Sequence, residues 1–118
     1  MHTIEFFYFE DCPSHDRALA LLQEVMAQHG MQEVPITVIR VETQEEAERY
    51  SFYGSPTIRV DGVDIAPLPE GIPQPALACR AYRRADGRIS PLPPRELIEA
   101  ALQRADHSDE LQVERRNA

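Results

Sequence analysis

Thr3-Ile4-Glu5-Phe6-Phe7-Tyr8-Phe9-Glu10-Asp11-Cys12-Pro13-Ser14-His15 is the stretch around which the rest of the chain is arranged. Its first half, Thr3 to Phe9, is β-branched or aromatic at nearly every position. That is the near-continuous pattern of a strand covered on both faces, so it is predicted at the centre of a sheet. In the second half the period changes. From Pro13 onward Ala18, Leu22, Val25, Met26 and His29 fall on one helical face, Leu19 and Leu21 widen it, and Gly30 ends it just past the C-cap. Proline at the first helical position makes Cys12 the N-cap, with its sulfur beside the unpaired N–H groups of the first turn. A cysteine at the positive end of a helix is favoured as thiolate, so redox or thiol-transfer chemistry is the first expectation.

Downstream, Val34 to Val41 is a second β-rich run, and a crossover through the helix makes it parallel to the first and right-handed. Pro35 belongs near its start or at an edge. Thr43 with Glu46 is a capping-box signature for a short helix ending at about Tyr50. Next comes Gly54-Ser55-Pro56-Thr57-Ile58-Arg59-Val60-Asp61-Gly62-Val63-Asp64-Ile65, in which Asp61-Gly62 between alternating runs predicts a hairpin. Pro67, Pro69, Pro73 and Pro75 make the following segment an extended surface loop that borders the site. Leu77 to Tyr82 is read as a strand with Leu77, Cys79 and Ala81 on one face, turned back at Asp86-Gly87 through Arg88-Ile89-Ser90. Pro93-Pro94-Arg95-Glu96 opens a last helix with Leu97, Ile98, Ala101 and Leu102 inward. Residues 1–105 thus read as one domain and the polar 106–118 as a mobile or frayed helical tail.

A chain of 118 residues can bury a core without disulfide or metal staples. Twelve basic against twenty acidic residues leave a net charge of −8, which disfavours nucleic acid and anionic membrane surfaces as partners. Glu5 and Glu10 stand where a signal peptide needs apolar residues, and no run approaches the roughly 20 apolar residues of a membrane span. A cytoplasmic setting is expected. There a cysteine is reactive, metal-bound or buried rather than part of a structural disulfide.

The order β-α-β-α, a Ser-Pro before a strand, a hairpin and a closing helix resembles the thioredoxin-like superfamily, in particular its small glutaredoxin-like members. Asp11-Cys12-Pro13-Ser14-His15 stands in the place of that family's Cys-x-x-Cys, and Gly54-Ser55-Pro56-Thr57-Ile58 in the place of its cis-proline loop. The resemblance implies an α/β fold with a central mixed sheet of four to five strands flanked by about three helices. It implies that Pro56 is cis and lies against Cys12, and that the Ser55 backbone pairs with an extended thiol substrate as a short added strand. Pro13, Ser14, Ser55, Pro56 and Thr57 are the substrate-binding positions it carries over. His15 replaces the second motif cysteine, so the usual disulfide within the motif cannot form, and the chain is expected to act as a monothiol.

Cys12 is the expected nucleophile. The helix dipole and a protonated His15 favour its thiolate, while Glu10, Asp11 and Asp16 oppose it, so the activation is modest. His15 returns to the Cys12 side of the first turn, where it is open between thiolate partner, proton donor, soft-metal ligand and an ordinary exposed first-turn histidine. Cys79 is open between a small core residue, a resolving thiol and a metal thiolate. No Cys/His spacing matches a structural zinc site, and there is no phosphate-cradling loop or Gly-x-Ser-x-Gly elbow. No cofactor or resident metal is expected; glutathione is the candidate co-substrate, its carboxylates within the chemistry of Arg80, Arg83 and Arg84.

Three function classes follow. The leading one is a glutaredoxin-like thiol–disulfide oxidoreductase, with a thiol or disulfide as partner and a mixed disulfide at Cys12. The second is a handler of a thiophilic metal or organomercurial, using Cys12 with Cys79 or His15 and Asp11, which organomercurial lyases resemble loosely through paired thiols and a carboxylate. The third is a thioredoxin-fold interaction module without turnover.

Overall fold

A computed structural model describes residues 2–66 and 74–105. The expectations for the proline-rich loop, Pro75 excepted, and for the tail after Ala105 lie outside the described residues. Strand β1 (Ile4–Tyr8) is central, paired in parallel with β2 (Ile36–Arg40) and antiparallel with β3 (Thr57–Val60), which in turn pairs with β4 (Val63–Asp64). The sheet order is β2-β1-β3-β4. A separate ribbon joins β5 (Tyr82–Arg83) to β6 (Ile89–Ser90). Helices α1 (His15–Gln28), α2 (Gln44–Tyr50) and α3 (95–105) complete a mixed α/β fold.

The aromatic run of β1 is explained by cover on both faces. Ile4 and Phe6 pack with Ala18, Leu22, Val25 and Met26 of α1 and with Ile98, Ala101 and Leu102 of α3. Phe7, one residue out of step, packs with Val41, Ala47 of α2 and Phe52. Successive side chains of a strand point to opposite faces, so one short run closes both halves of the core. β2 lies at the edge of the sheet, with Val38 about half exposed and Pro35 just before its first residue. Among the described residues no helix is long and apolar enough to cross a membrane.

Local signals are placed where they act. Thr43 Oγ1 accepts from Glu46 N–H at 3.1 Å and caps α2, while the Glu46 carboxylate reaches back to Glu42 N–H at 3.2 Å. Asp61 and Gly62 both have positive φ and make the β3–β4 turn.

Two expectations are corrected. Helix α1 begins at His15 with Ser14 as N-cap, so Cys12 lies before the helix and not at its cap. The Cys12 N–H is used by Phe9 O at 3.0 Å, and the first α1 bond runs from Ala18 N–H to Ser14 O at 3.0 Å. The tight turn therefore holds the cysteine and Pro13 precedes the cap. Leu77 to Tyr82 is not a continuous strand. It contributes a single bridge at Cys79 and the start of β5 at Tyr82, and its buried members are Arg80 and Tyr82, whereas Cys79 and Ala81 are exposed.

Candidate functional site

Ser55 ties the site together. It is fully buried at the turn into β3, and the Ser55–Pro56 peptide is cis. Its Oγ accepts from Phe9 N–H at 2.9 Å, which fastens the end of β1 to the loop. Its carbonyl accepts from the Cys12 thiol at 3.5 Å. The same residue forms a parallel bridge with Cys79: Ser55 N–H donates to Ala78 O at 2.7 Å, and Arg80 N–H donates to Ser55 O at 2.8 Å. The turn after β1, the cis-proline loop and the segment Ala78–Arg80 thus converge on one buried backbone unit.

That convergence brings the two thiols together. Cys12 is 1 % exposed and Cys79 faces solvent. A hydrogen bond to Cys12, burial and the electrostatic interaction with Cys12 together push Cys79 from the usual 9.0 up to about 11. Cys79 therefore keeps its proton at neutral pH. The placement of Cys79 in the apolar core is excluded by its exposure.

His15 is drawn elsewhere. Its ring stacks on Tyr8 with centroids 4.7 Å apart, and Nδ1 lies 3.2 Å from Asp16 Oδ1. Among the described residues it makes no hydrogen bond to Cys12. Glu10 likewise pairs with Arg40 of the edge strand. Pro13 is exposed and Ser14 half-buried beside the site, whereas Pro56 and Thr57 are buried within the loop. Thr57 Oγ1 donates to Gly54 O at 2.6 Å, closing the loop on itself.

The sequence does not reveal the pairings that hold Cys79. Arg80, 6 % exposed, donates to both Asp64 oxygens at 2.9 and 3.1 Å, to Thr57 Oγ1 at 3.3 Å and to Ala66 O at 3.3 Å. Its guanidinium carbon lies 5.0 Å from the Tyr82 ring centroid. The Tyr82 hydroxyl donates to Pro56 O at 2.6 Å, and burial raises its pKa. Arg80 is thereby removed from the set of surface cations available to a glutathione carboxylate; Arg83 and Arg84 remain exposed.

Gly54 makes the approach possible. With φ at +145°, a Cβ there would meet Arg80 Cα and N at 2.9 Å. Both the backbone conformation and the space demand glycine. Gly54→Ala is expected to cost at least about 1–3 kcal/mol in urea unfolding and to loosen the 78–80 segment. A midpoint equal to wild type would show that the segment yields without cost.

No protein-family model matches the chain, and neither does any curated protein sequence.

Proposed function

We propose that this is a thioredoxin-like thiol–disulfide oxidoreductase whose redox couple is Cys12 with Cys79. Support for the fold reading is the parallel β1-α1-β2 unit, the antiparallel β3-β4 hairpin and a cis-proline loop in contact with the cysteine. The observation that carries the function is that a buried and a solvent-facing cysteine meet at one residue: the Cys12 thiol donates to Ser55 O, and Cys79 sits opposite Ser55 in the parallel bridge. Cys79 supplies in cis the second thiol that His15 displaced from the motif.

Exposure sets the order of events. Cys79 is the sulfur that an external disulfide RSSR reaches. It attacks one substrate sulfur as the thiolate, its proton going to water; the substrate S–S bond breaks and RS⁻ leaves. Cys12 then attacks the Cys79 sulfur of the mixed disulfide, forming the Cys12–Cys79 bond and releasing the second RS group, which leaves with the proton of the Cys12 thiol. Two electrons pass from the pair to the substrate. An external thiol such as glutathione reverses both steps, and a reducing cytoplasm keeps the pair in its dithiol form between turnovers.

The test is intact mass after incubation with oxidised glutathione. Wild-type protein is expected to form the Cys12–Cys79 disulfide with no lasting adduct, Cys12→Ser to accumulate one glutathione on Cys79, and Cys79→Ser to be modified far more slowly. A lasting adduct on wild-type protein without the internal disulfide would remove the proposal.

The same two sulfurs support a second reading, capture of a thiophilic cation as substrate. No group of three or more His, Cys, Asp or Glu among the described residues is placed to hold a metal, so the cation must accept two-coordinate thiolate ligation. Mercury(II) is then expected to raise the unfolding temperature and cadmium, which takes more ligands, to leave it unchanged. Equal shifts with Cys12→Ser would end this reading.

A further inference from the structure

Where an extended substrate would lie along the cis-proline loop, the chain has laid a strand of its own. Both backbone polar groups of Ser55 are taken, N–H by Ala78 O and C=O by Arg80 N–H, in a parallel bridge centred on Cys79. Ser55 is fully buried beneath this segment. The occupying strand is not a loosely draped loop. Gly54 lets its backbone approach so closely that a single Cβ would collide with it. The Arg80 guanidinium anchors it to Asp64, Thr57 and Ala66, and the Tyr82 hydroxyl fixes the next turn of chain to Pro56 O. No backbone hydrogen-bonding group of Ser55 is left for an incoming peptide, because its N–H has one proton to give and its carbonyl already accepts from Arg80 N–H and the Cys12 thiol. A polypeptide that recognised this loop by strand addition would have to unseat the strand that carries Cys79, and with it the second thiol of the couple.

We infer that the substrates of this site are low-molecular-weight disulfides and thiols, of the size of a single cysteine derivative or a glutathione, and that extended polypeptide disulfides are excluded. The inference rests on the two-cysteine redox reading and adds the substrate class to it. A small disulfide needs only the exposed Cys79 sulfur and no backbone pairing. Its exchange leaves the bridge to Ser55 intact, so Cys12 stays in contact with the sulfur it must attack. Recognition of such a substrate comes from the surface around Cys79 and not from the loop.

The experiment compares two probes with the same leaving group, the mixed disulfides of nitrothiobenzoate with N-acetylcysteine amide and with a blocked decapeptide carrying the same cysteine at its centre. Both are offered to wild-type protein, and release of nitrothiobenzoate is followed by absorbance. The small probe is expected to react about thirtyfold faster, the equivalent of about 2 kcal/mol. The Arg80 amide, read by hydrogen exchange, is expected to stay protected while the small probe reacts. A peptide rate equal to or above that of the small probe overturns the inference, as does failure of both probes to react or loss of Arg80 amide protection with the small probe. The redox reading fails separately: the size preference then holds, but mass spectrometry finds a lasting adduct and no Cys12–Cys79 disulfide.

Discussion

In Cys12→Ala protein, alkylation of Cys79 by iodoacetamide at neutral pH is expected to run several-fold faster, up to about tenfold, than alkylation of Cys79 in the reduced wild type. Removing one thiol makes the other more reactive because of what holds Cys79 up to about 11: first its hydrogen bond with Cys12, then burial, then the charge of Cys12. Alanine deletes the first and the third. Burial remains, so the value falls by less than the full two units back to 9.0, and the thiolate fraction at neutral pH rises by less than about a hundredfold. The less basic thiolate is also a weaker nucleophile, with a Brønsted coefficient of about 0.4–0.5, which removes about tenfold of that gain. The pH dependence separates this from a simple gain in access. In wild type the Cys79 rate rises until about pH 11, whereas in the variant it levels off at lower pH. Stability follows with a definite sign. The folded-state value is raised, so the protonated Cys79 favours the folded protein fully below about pH 9, and that contribution is lost as pH rises through about 11. Equal rates in the two proteins would mean that burial alone governs Cys79 and that the thiols do not interact.

How much of this was legible in the sequence depends on the range of the interaction. β1, α1, the cap on α2 and the Asp61-Gly62 turn are specified by residues within a few positions of one another, and the periodicities of Ile4–Tyr8 and of Ala18, Leu22, Val25 and Met26 were enough to place them. The start of α1 is locally ambiguous. Pro13 suits the first helical position and the position before the cap alike, and the Cys12 N–H bond to Phe9 O decided between them. The segment around Cys79 is hard to read for a different reason. Apolar Leu77, Cys79 and Ala81 suggested that their face is buried, but the buried residues are Arg80 and Tyr82. A guanidinium goes inside only when a carboxylate meets it, and Asp64 lies sixteen residues earlier with no local signature of the pairing. The contact of Cys79 with Cys12 depends on that inversion. The motif alone suggests a monothiol and leaves Cys79 open as a resolving thiol; what it does not reveal is the register that sets Cys79 opposite Ser55.

That buried pair yields the other large effect. Asp64→Ala is expected to destabilise the protein by about 3 kcal/mol, whereas Asp64→Leu combined with Arg80→Met should recover most of the loss. Arg80 is 6 % exposed, and without Asp64 it keeps only Thr57 Oγ1 and Ala66 O as acceptors. Breaking one side of a buried pair costs about 3–5 kcal/mol because a charge is left uncompensated, while replacing both partners by apolar groups is often neutral. Asp64, with its side chain 21 % exposed, places the cost at the lower end. For a domain of this size that is a fall of about 10–15 °C in melting temperature, read by thermal unfolding. A loss of less than about 1 kcal/mol would class the pair with surface salt bridges. The redox equilibrium distinguishes a clamp on Cys79 from general stabilisation. Arg80 follows Cys79 directly, and its amide closes the bridge to Ser55. If the ion pair serves to hold Cys79 against Cys12, the double variant should regain its melting temperature yet form the Cys12–Cys79 disulfide less readily against glutathione than wild type. A double variant that is wild-type in both would show that the backbone bridge and the Gly54 contact alone position the thiol, leaving the ion pair to stabilise the loop.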